Sequence, residues 1–202
     1  MKEELKKIAV LIPTLNPDDK LLKLVSDLKN IGIDRIIIID DGSTVESNEI
    51  FNKINECKVY HHDKNYGKGK AIKTGILNIM SDFPDTEAIV TADSDGQHTP
   101  SDIFRMCEEV SSCPDKLVLG VRKFDNLNMP FTSKIGNSFS SWYFKIMTGE
   151  SLKDTQTGLR AFSKKYFEKM LNIPGQRYDY EMRVLEQICT DGIGLKTIEI
   201  ET

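Results

Sequence analysis

The stretch Ala88-Ile89-Val90-Thr91-Ala92-Asp93-Ser94-Asp95-Gly96-Gln97-His98-Thr99-Pro100 decides how this chain is read. Its first five residues are an apolar run of strand length. Its tail supplies a turn glycine and a proline suited to the first position of a helix. Successive side chains of a strand point to opposite faces. Asp93 and Asp95 can therefore share a ligand only where the strand has ended and the backbone turns, which Gly96 permits. Two hard oxygen donors at such an edge suit Mg²⁺ or Mn²⁺, which bind through one or two carboxylates plus substrate phosphates. The stretch thus predicts a strand, a turn and a helix that together handle a metal–diphosphate substrate.

Outward from this stretch, the N-terminal part alternates strands and helices. Ile8 to Ile12 reads as a strand. Asp19 to Leu28 reads as a helix, with Leu21, Leu22, Leu24, Val25 and Leu28 at helical spacing. Ile36 to Ile39 is a continuous apolar run, the mark of a strand buried on both faces. A helix near Ser47 to Asn55, a strand at Val59 to His61 and a helix from about Gly69 to Met80 precede the quoted strand. A helix over Pro100 to Val110 and a strand at Leu117 to Gly120 follow it. This order predicts an α/β fold, a largely parallel sheet with helices on both faces. Ligands of such sheets bind beyond the carboxyl ends of the strands.

After Val121 the pattern changes. Asp125 to Pro130 is loop-like, and Thr132 to Met147 reads as a helix carrying Phe139, Trp142, Tyr143 and Ile146 on one side. Asp154 to Gly158 is a second loop, followed by helices near Lys164 to Leu171 and Tyr180 to Cys189. Leu195 to Thr202 reads as a strand in mid-course, so the pattern predicts a single domain over 1–202 that continues in a longer protein.

Bulk properties narrow the classes. With 39% hydrophobic and 29% charged residues over 202 positions, the composition is that of a globular domain with a full core. A net charge of −4 argues against a general nucleic-acid binder, whose footprint is basic. Cys57, Cys107, Cys113 and Cys189 show no CxxC spacing, so neither a zinc site nor a disulfide framework is predicted, and a reducing cytoplasm is the expected home. Met1-Lys2-Glu3-Glu4 leads straight into a strand without a signal peptide, and no apolar run approaches the roughly 20 residues of a membrane span.

Three further groups carry chemistry. Asp40-Asp41-Gly42-Ser43 closes the Ile36–Ile39 strand; it suits a capping turn, or a carboxylate facing a ribose or base. Lys64, Lys68, Lys70 and Lys73 surround a Gly-Lys-Gly entry to a helix, which can offer N–H groups and charge to a phosphate although the P-loop spacing is absent. Arg122 follows a strand and can clamp a phosphate. An EF-hand fails, because its sixth and twelfth positions hold His98 and Phe104. A haloacid-dehalogenase-type phosphatase carries its Asp-x-Asp on the first strand, not the fourth. His98 reads as a packing or capping residue, and His61 and His62 have no partners at metal-ligand spacing.

The ordered set resembles a family 2 inverting glycosyltransferase of the GT-A fold. It comprises Ile12-Pro13-Thr14-Leu15-Asn16, Ile39-Asp40-Asp41-Gly42-Ser43, Asn65-Tyr66-Gly67-Lys68-Gly69 and Ala92-Asp93-Ser94-Asp95-Gly96-Gln97. Asp95-Gly96-Gln97-His98, Gly120-Val121-Arg122 and Asp154-Thr155-Gln156-Thr157-Gly158-Leu159-Arg160-Ala161-Phe162 are similar to the dolichyl-phosphate mannose synthase and polyprenyl-phosphate glycosyltransferase branch. Leu15 and Pro17 stand where that branch often has Tyr and Glu.

The resemblance implies a donor that is a nucleotide diphosphate sugar and an acceptor that is a polyprenyl phosphate or, alternatively, a saccharide hydroxyl. A non-catalytic sugar-nucleotide-binding module is opposed by the intact acidic pair, and a nucleotidyltransferase by the absence of a Gly-rich basic segment after the first strand. It implies a nucleotide-sugar site at Pro13, Thr14, Asn16, Asp40, Asp41, Lys68, Gly69, Asp93 and Ser94. It implies Mg²⁺ or Mn²⁺ at Asp93, Asp95 and Gln97, and catalytic roles for Asp95, Arg122, Asp154 and Arg160. Were the acceptor a hydroxyl, Asp154 or Asp179 would be the base. The same resemblance implies work at the cytoplasmic face of a membrane, with Thr132 to Met147 as an interfacial helix, or else as a helix packed on the sheet.

Overall fold

The computed structural model describes residues 5–122 and 157–201. Seven strands form one sheet: β1 (Ile8–Thr14), β2 (Arg35–Asp40), β3 (Lys58–His61), β4 (Ala88–Thr91), β5 (Lys116–Arg122), β6 (Arg160–Ser163) and β7 (Gly194–Ile200). Their spatial order is β3-β2-β1-β4-β6-β5-β7. Described helices are α1 (Asp19–Asn30), α2 (Asn48–Phe51), α3 (Lys68–Asp82), α4 (Pro100–Ser112), α5 (Phe167–Asn172) and α6 (Asp179–Thr190).

The sheet is built as β1 dictates. All seven β1 residues are buried, so the strand is central and both its faces need cover. Leu11 joins Ile37, Ile39, Ile72, Ile76, Phe167 and Tyr180 on one side. Val10 and Ile12 join Leu21, Leu28, Ile36, Ile38, Ile103 and Met106 on the other. Alternate residues of β1 and β2 thus feed two cores, which accounts for the continuous apolar runs. Asp18 caps α1 by accepting the Lys20 N–H at 2.9 Å. Thr99 caps α4 ahead of Pro100, accepting the Asp102 N–H at 3.1 Å. These local signals set the helix starts where the sequence put them.

The sheet is largely parallel, as the pattern predicts, but it holds one reversed strand that the pattern missed: β6 runs antiparallel to both β4 and β5. Its four residues were hidden behind the Asp154 to Gly158 loop, and only their pairing between two buried strands makes them a strand. The segment near Ser47 to Asn55 is shorter than predicted, a single 3₁₀ turn at Val45–Ser47 followed by the four-residue α2. Because β6 alone is reversed, the C-terminal ends of β1, β2, β3, β4, β5 and β7 lie on one sheet edge, and β6 begins there. Among the described residues no helix is long and apolar enough to cross a membrane.

Candidate functional site

A cleft of about 370 Å³ opens on that edge, lined by residues that include Pro13, Asp41, Asn65, Lys68, Asp93 and Asp95. Thr14, Leu15, Gly67, Ser94, Arg177 and Tyr178 also face it. The three acidic or basic loops singled out in the sequence therefore meet in one place.

The Asp93–Asp95 wall is set by the end of β4. The strand stops at Thr91, and Gly96 turns the chain with φ 78°. Asp95 is exposed and its Oδ1 accepts the Gln97 N–H at 3.0 Å. Thr14 Oγ1 donates to Ser94 Oγ at 2.9 Å, fastening the turn to the end of β1. Asp93 faces inward. Lys68 Nζ lies 2.7 Å from its Oδ1, and His98 Nε2 lies 3.5 Å from its Oδ2. Burial alone would raise the Asp93 pKa, but the His98 ring and the Lys68 ammonium outweigh it and hold the carboxyl well below the usual carboxylate range. Lys68 also lies 3.1 Å from Glu181 Oε1. Burial alone would lower the Lys68 pKa; Glu181 and Asp93 outweigh it and keep the ammonium charged.

Asp41 shapes the opposite wall from within. Its carboxylate accepts the Gly67 N–H at 2.7 Å and the Tyr66 N–H at 3.0 Å, and His62 Nδ1 lies 2.8 Å away. Asp41 thus holds the entry to α3, where Gly67 adopts φ 102°. Asp40 is buried, accepts the Ser43 N–H at 2.9 Å and pairs with His61 Nδ1 at 2.8 Å. The parallel register sets Asp40 beside His61. His61 and His62 therefore serve the Asp40–Asp41 turn, a pairing that strand register could have revealed. Asn16, at φ 50°, bridges to the same turn: its N–H donates to Ser43 Oγ and its Oδ1 accepts the Thr44 N–H.

Other predicted residues flank the cleft or serve the packing around it. Arg160 is buried; its Nε donates to the Thr157 carbonyl at 2.9 Å and its Nη1 to the Glu181 carbonyl at 2.5 Å, so it ties β6 to α6 beneath the cleft. Gly69 is covered: a β-carbon there would meet Tyr180 Cβ at 2.5 Å. Its lack of a side chain serves helix packing. Gln97 is exposed beside Asp95, and Arg122 ends β5 on the same sheet edge. Asp179 caps neither wall; its carboxylate serves Arg183 and the Arg177 N–H. Asp154 and the Thr132 to Met147 helix lie outside the described residues.

The structure adds Glu181, Arg177 and Tyr178, which the sequence pattern passed over. Arg177 and Tyr178 are exposed on the loop before α6. The Lys70 N–H donates to the Gln176 carbonyl at 2.8 Å and pins this loop to α3.

Both ring nitrogens of His98, a residue 5% exposed, have no hydrogen-bond partner among the described residues. The ring is held beside the acidic pair by the 3.5 Å approach of its Nε2 to Asp93 Oδ2. Among the described residues, no three His, Cys, Asp or Glu side chains gather to hold a metal by themselves. That donor set fits a hard cation that takes its remaining ligands from phosphate.

The family model Glycosyl transferase family 2 matches residues 9–171. The chain is 34% identical over 178 residues to the UDP-N-acetylglucosamine–dolichyl-phosphate N-acetylglucosaminyltransferase of Methanococcus voltae, covering 79% of this chain and 70% of that protein. It is 28% identical over 209 residues to the undecaprenyl-phosphate 4-deoxy-4-formamido-L-arabinose transferase of Photorhabdus laumondii, covering 98% of this chain and 60% of that protein. Among solved structures, glucosyl-3-phosphoglycerate synthase from Mycobacterium tuberculosis, in complex with Mn²⁺, UDP and glucosyl-3-phosphoglycerate, superposes with a TM-score of 0.72. It shares 17% identity, over 100% of this chain and 75% of that one, which establishes a common fold.

Proposed function

This chain belongs to Glycosyl transferase family 2, and on that premise we propose that it transfers a sugar, with inversion, from a nucleotide diphosphate sugar to a polyprenyl phosphate. One observation carries the donor half. Asp41, Lys68, Asp93 and Asp95, drawn from three separate segments of the chain, line one cleft at the carboxyl edge of the sheet. The acceptor half is supported by the names of the dolichyl- and undecaprenyl-phosphate relatives.

The nucleoside end of the donor lies against Pro13, Leu15, Asp41 and Asn65, with Thr14, Asn16 and Asp40 fixing the turns behind them. Asp93, Asp95 and Gln97 would hold Mg²⁺ or Mn²⁺, which when bound would supply Lewis-acid stabilisation of the leaving diphosphate. Despite its burial, Asp93 is held by His98 and Lys68 in the carboxylate form that a cation needs. Lys68 adds a fixed positive charge beside the same phosphates. Gly158, just ahead of β6, lets the backbone pack directly against Asp93. Arg122 meets a phosphate at the β5 end, and Arg160 positions α6 from below. A lipid phosphate is already anionic and attacks without a strong base, so Asp154 orients the reaction centre. The protein works peripherally at the cytoplasmic face, and residues 1–202 act as one GT-A domain.

The test begins with a thermal-shift panel of UDP-, GDP- and dTDP-sugars with and without Mn²⁺. The donor that shifts is then incubated with undecaprenyl or dolichyl phosphate, and the glycosylated lipid is sought by mass spectrometry. Transfer to a saccharide hydroxyl with none to the lipid phosphate replaces the acceptor. Asp95→Ala should abolish transfer and Mn²⁺-dependent nucleotide binding with circular dichroism unchanged; wild-type turnover in that variant overturns the metal assignment.

A further inference from the structure

Lys68 stands 2.7 Å from Asp93 Oδ1 and 3.1 Å from Glu181 Oε1, so one ammonium joins two carboxylates, one from the turn after β4 and one from α6. Its side chain is only 17% exposed and that of Glu181 11%. A charge so far removed from water requires a counter-charge. Asp93 is also assigned above to the divalent cation. A metal arriving alone would have to share Asp93 with an ammonium in a poorly solvated place. It would find no third acidic or imidazole ligand gathered among the described residues. A metal arriving with a diphosphate meets neither obstacle, because the phosphates ligate the metal and give Lys68 a new anion.

We infer that Lys68 is the resident counter-ion of Asp93, exchanged for a metal–diphosphate unit, with Glu181 as the pivot that keeps its ammonium in the site during the exchange. This rests on the reading of Asp93 and Asp95 as the metal–diphosphate site. Metal and nucleoside diphosphate then bind with strong positive coupling, each raising the affinity of the other by the same factor. Glu181 is a positioning residue. With its charge removed, Lys68 leans on Asp93 alone and opposes the bare metal more strongly. Removing the charge of Lys68 and removing that of its partner Glu181 therefore predict opposite effects, which a shared structural role would not produce.

The measurement is Mn²⁺ binding, followed by the electron paramagnetic resonance of free Mn²⁺. The whole chain is titrated alone and with whichever of UDP, GDP or dTDP gives the largest thermal shift, with chelation by the free nucleotide subtracted. In the wild type the nucleoside diphosphate should tighten Mn²⁺ binding about tenfold or more. Lys68→Met should bind Mn²⁺ alone about threefold tighter than wild type, with the coupling reduced by about the same factor. Glu181→Gln should bind Mn²⁺ alone about threefold more weakly. Lys68→Gln, closer in polarity, repeats the first arm if the methionine variant does not fold by circular dichroism. Lysine variants that bind Mn²⁺ alone no tighter than wild type, while the wild type binds Mn²⁺ with the nucleotide, overturn the exchange and leave the site assignment standing. A wild type that binds no Mn²⁺ even with the nucleotide overturns the assignment and the exchange together.

Discussion

Gly158 packs against the carboxylate of Asp93: a β-carbon on residue 158 would lie 2.1 Å from Asp93 Oδ2 and 2.7 Å from its Cγ. The glycine is required by its neighbour and not by its own backbone, which has no positive φ. The Thr91 hydroxyl donates to the Gly158 carbonyl at 3.0 Å and fixes the approach. The loop before β6 thereby limits where the first carboxylate of the acidic pair can point.

Gly158→Ala should push Asp93 out of place. Overpacking of this kind costs about 1–3 kcal/mol. We expect a fall of a few degrees in Tm and a larger loss, about tenfold or more, in Mn²⁺-dependent nucleotide affinity, because the displaced carboxylate is the one proposed to hold the metal. Calorimetric titration on the folded variant checks this; unchanged affinity would separate Gly158 from the site.

Asp41→Ala leaves the buried Gly67 amide and the half-buried Tyr66 amide without their acceptor. Each unsatisfied buried group costs about 1–3 kcal/mol, so urea denaturation should show a loss of about 2–4 kcal/mol. Nucleotide affinity should fall while kcat of the saturated enzyme changes less. Asp41→Asn keeps an acceptor oxygen and should recover part of the stability. A defect confined to kcat would count against this role.

Arg177 is exposed and makes no ion pair with a described residue, yet it lines the cleft. Its truncation to Ala should leave stability within about 0.5 kcal/mol. If its guanidinium meets a phosphate, the KM of donor or acceptor should rise about tenfold, and Lys should restore it only in part, since an ammonium lacks the two-pronged geometry. Steady-state kinetics with each substrate varied in turn tell which phosphate it serves.

Burial pushes the Cys107 thiol up to about 12 and the Cys57 thiol up to about 11, from an ordinary value of 9.0. Native protein at pH 8 should leave Cys107 untouched by a thiol-reactive disulfide reagent, and unfolding in urea should release it. The sign for stability follows. The unfolded chain loses these protons first, so the stabilisation is complete below pH 9 and declines as the pH rises toward 12. A pH series of denaturation midpoints should therefore decline above pH 9, and Cys107→Ala should flatten that decline.

Much of the site was legible because its signals are local. Asp93 and Asp95 follow an apolar run and precede a turn glycine, so their place at a strand end is written within a dozen residues. The Asp40–Asp41 turn follows the Ile36–Ile39 run in the same way. Thr99–Pro100 marks the next helix with a cap that the structure uses. Strand β6 was not legible. Arg160–Ser163 is too short for a period, and its neighbours in the sheet, β4 and β5, come from distant sequence.

The sequence by itself determined that the chain is an α/β domain, that its strands end in acidic turns and that these turns face one sheet edge. Apolar period, glycine and proline fix backbone direction over a few residues. Only the tertiary structure decided what each charge does there. It set Lys68 on Asp93 and Glu181, gave the carboxylate of Asp41 to the Gly67 turn, and committed the guanidinium of Arg160 to two carbonyls. Partners that far apart in the chain meet through packing of the sheet and its helices. Which anion a buried cation serves depends on distance and exposure at that meeting point, and neither is encoded in any local window.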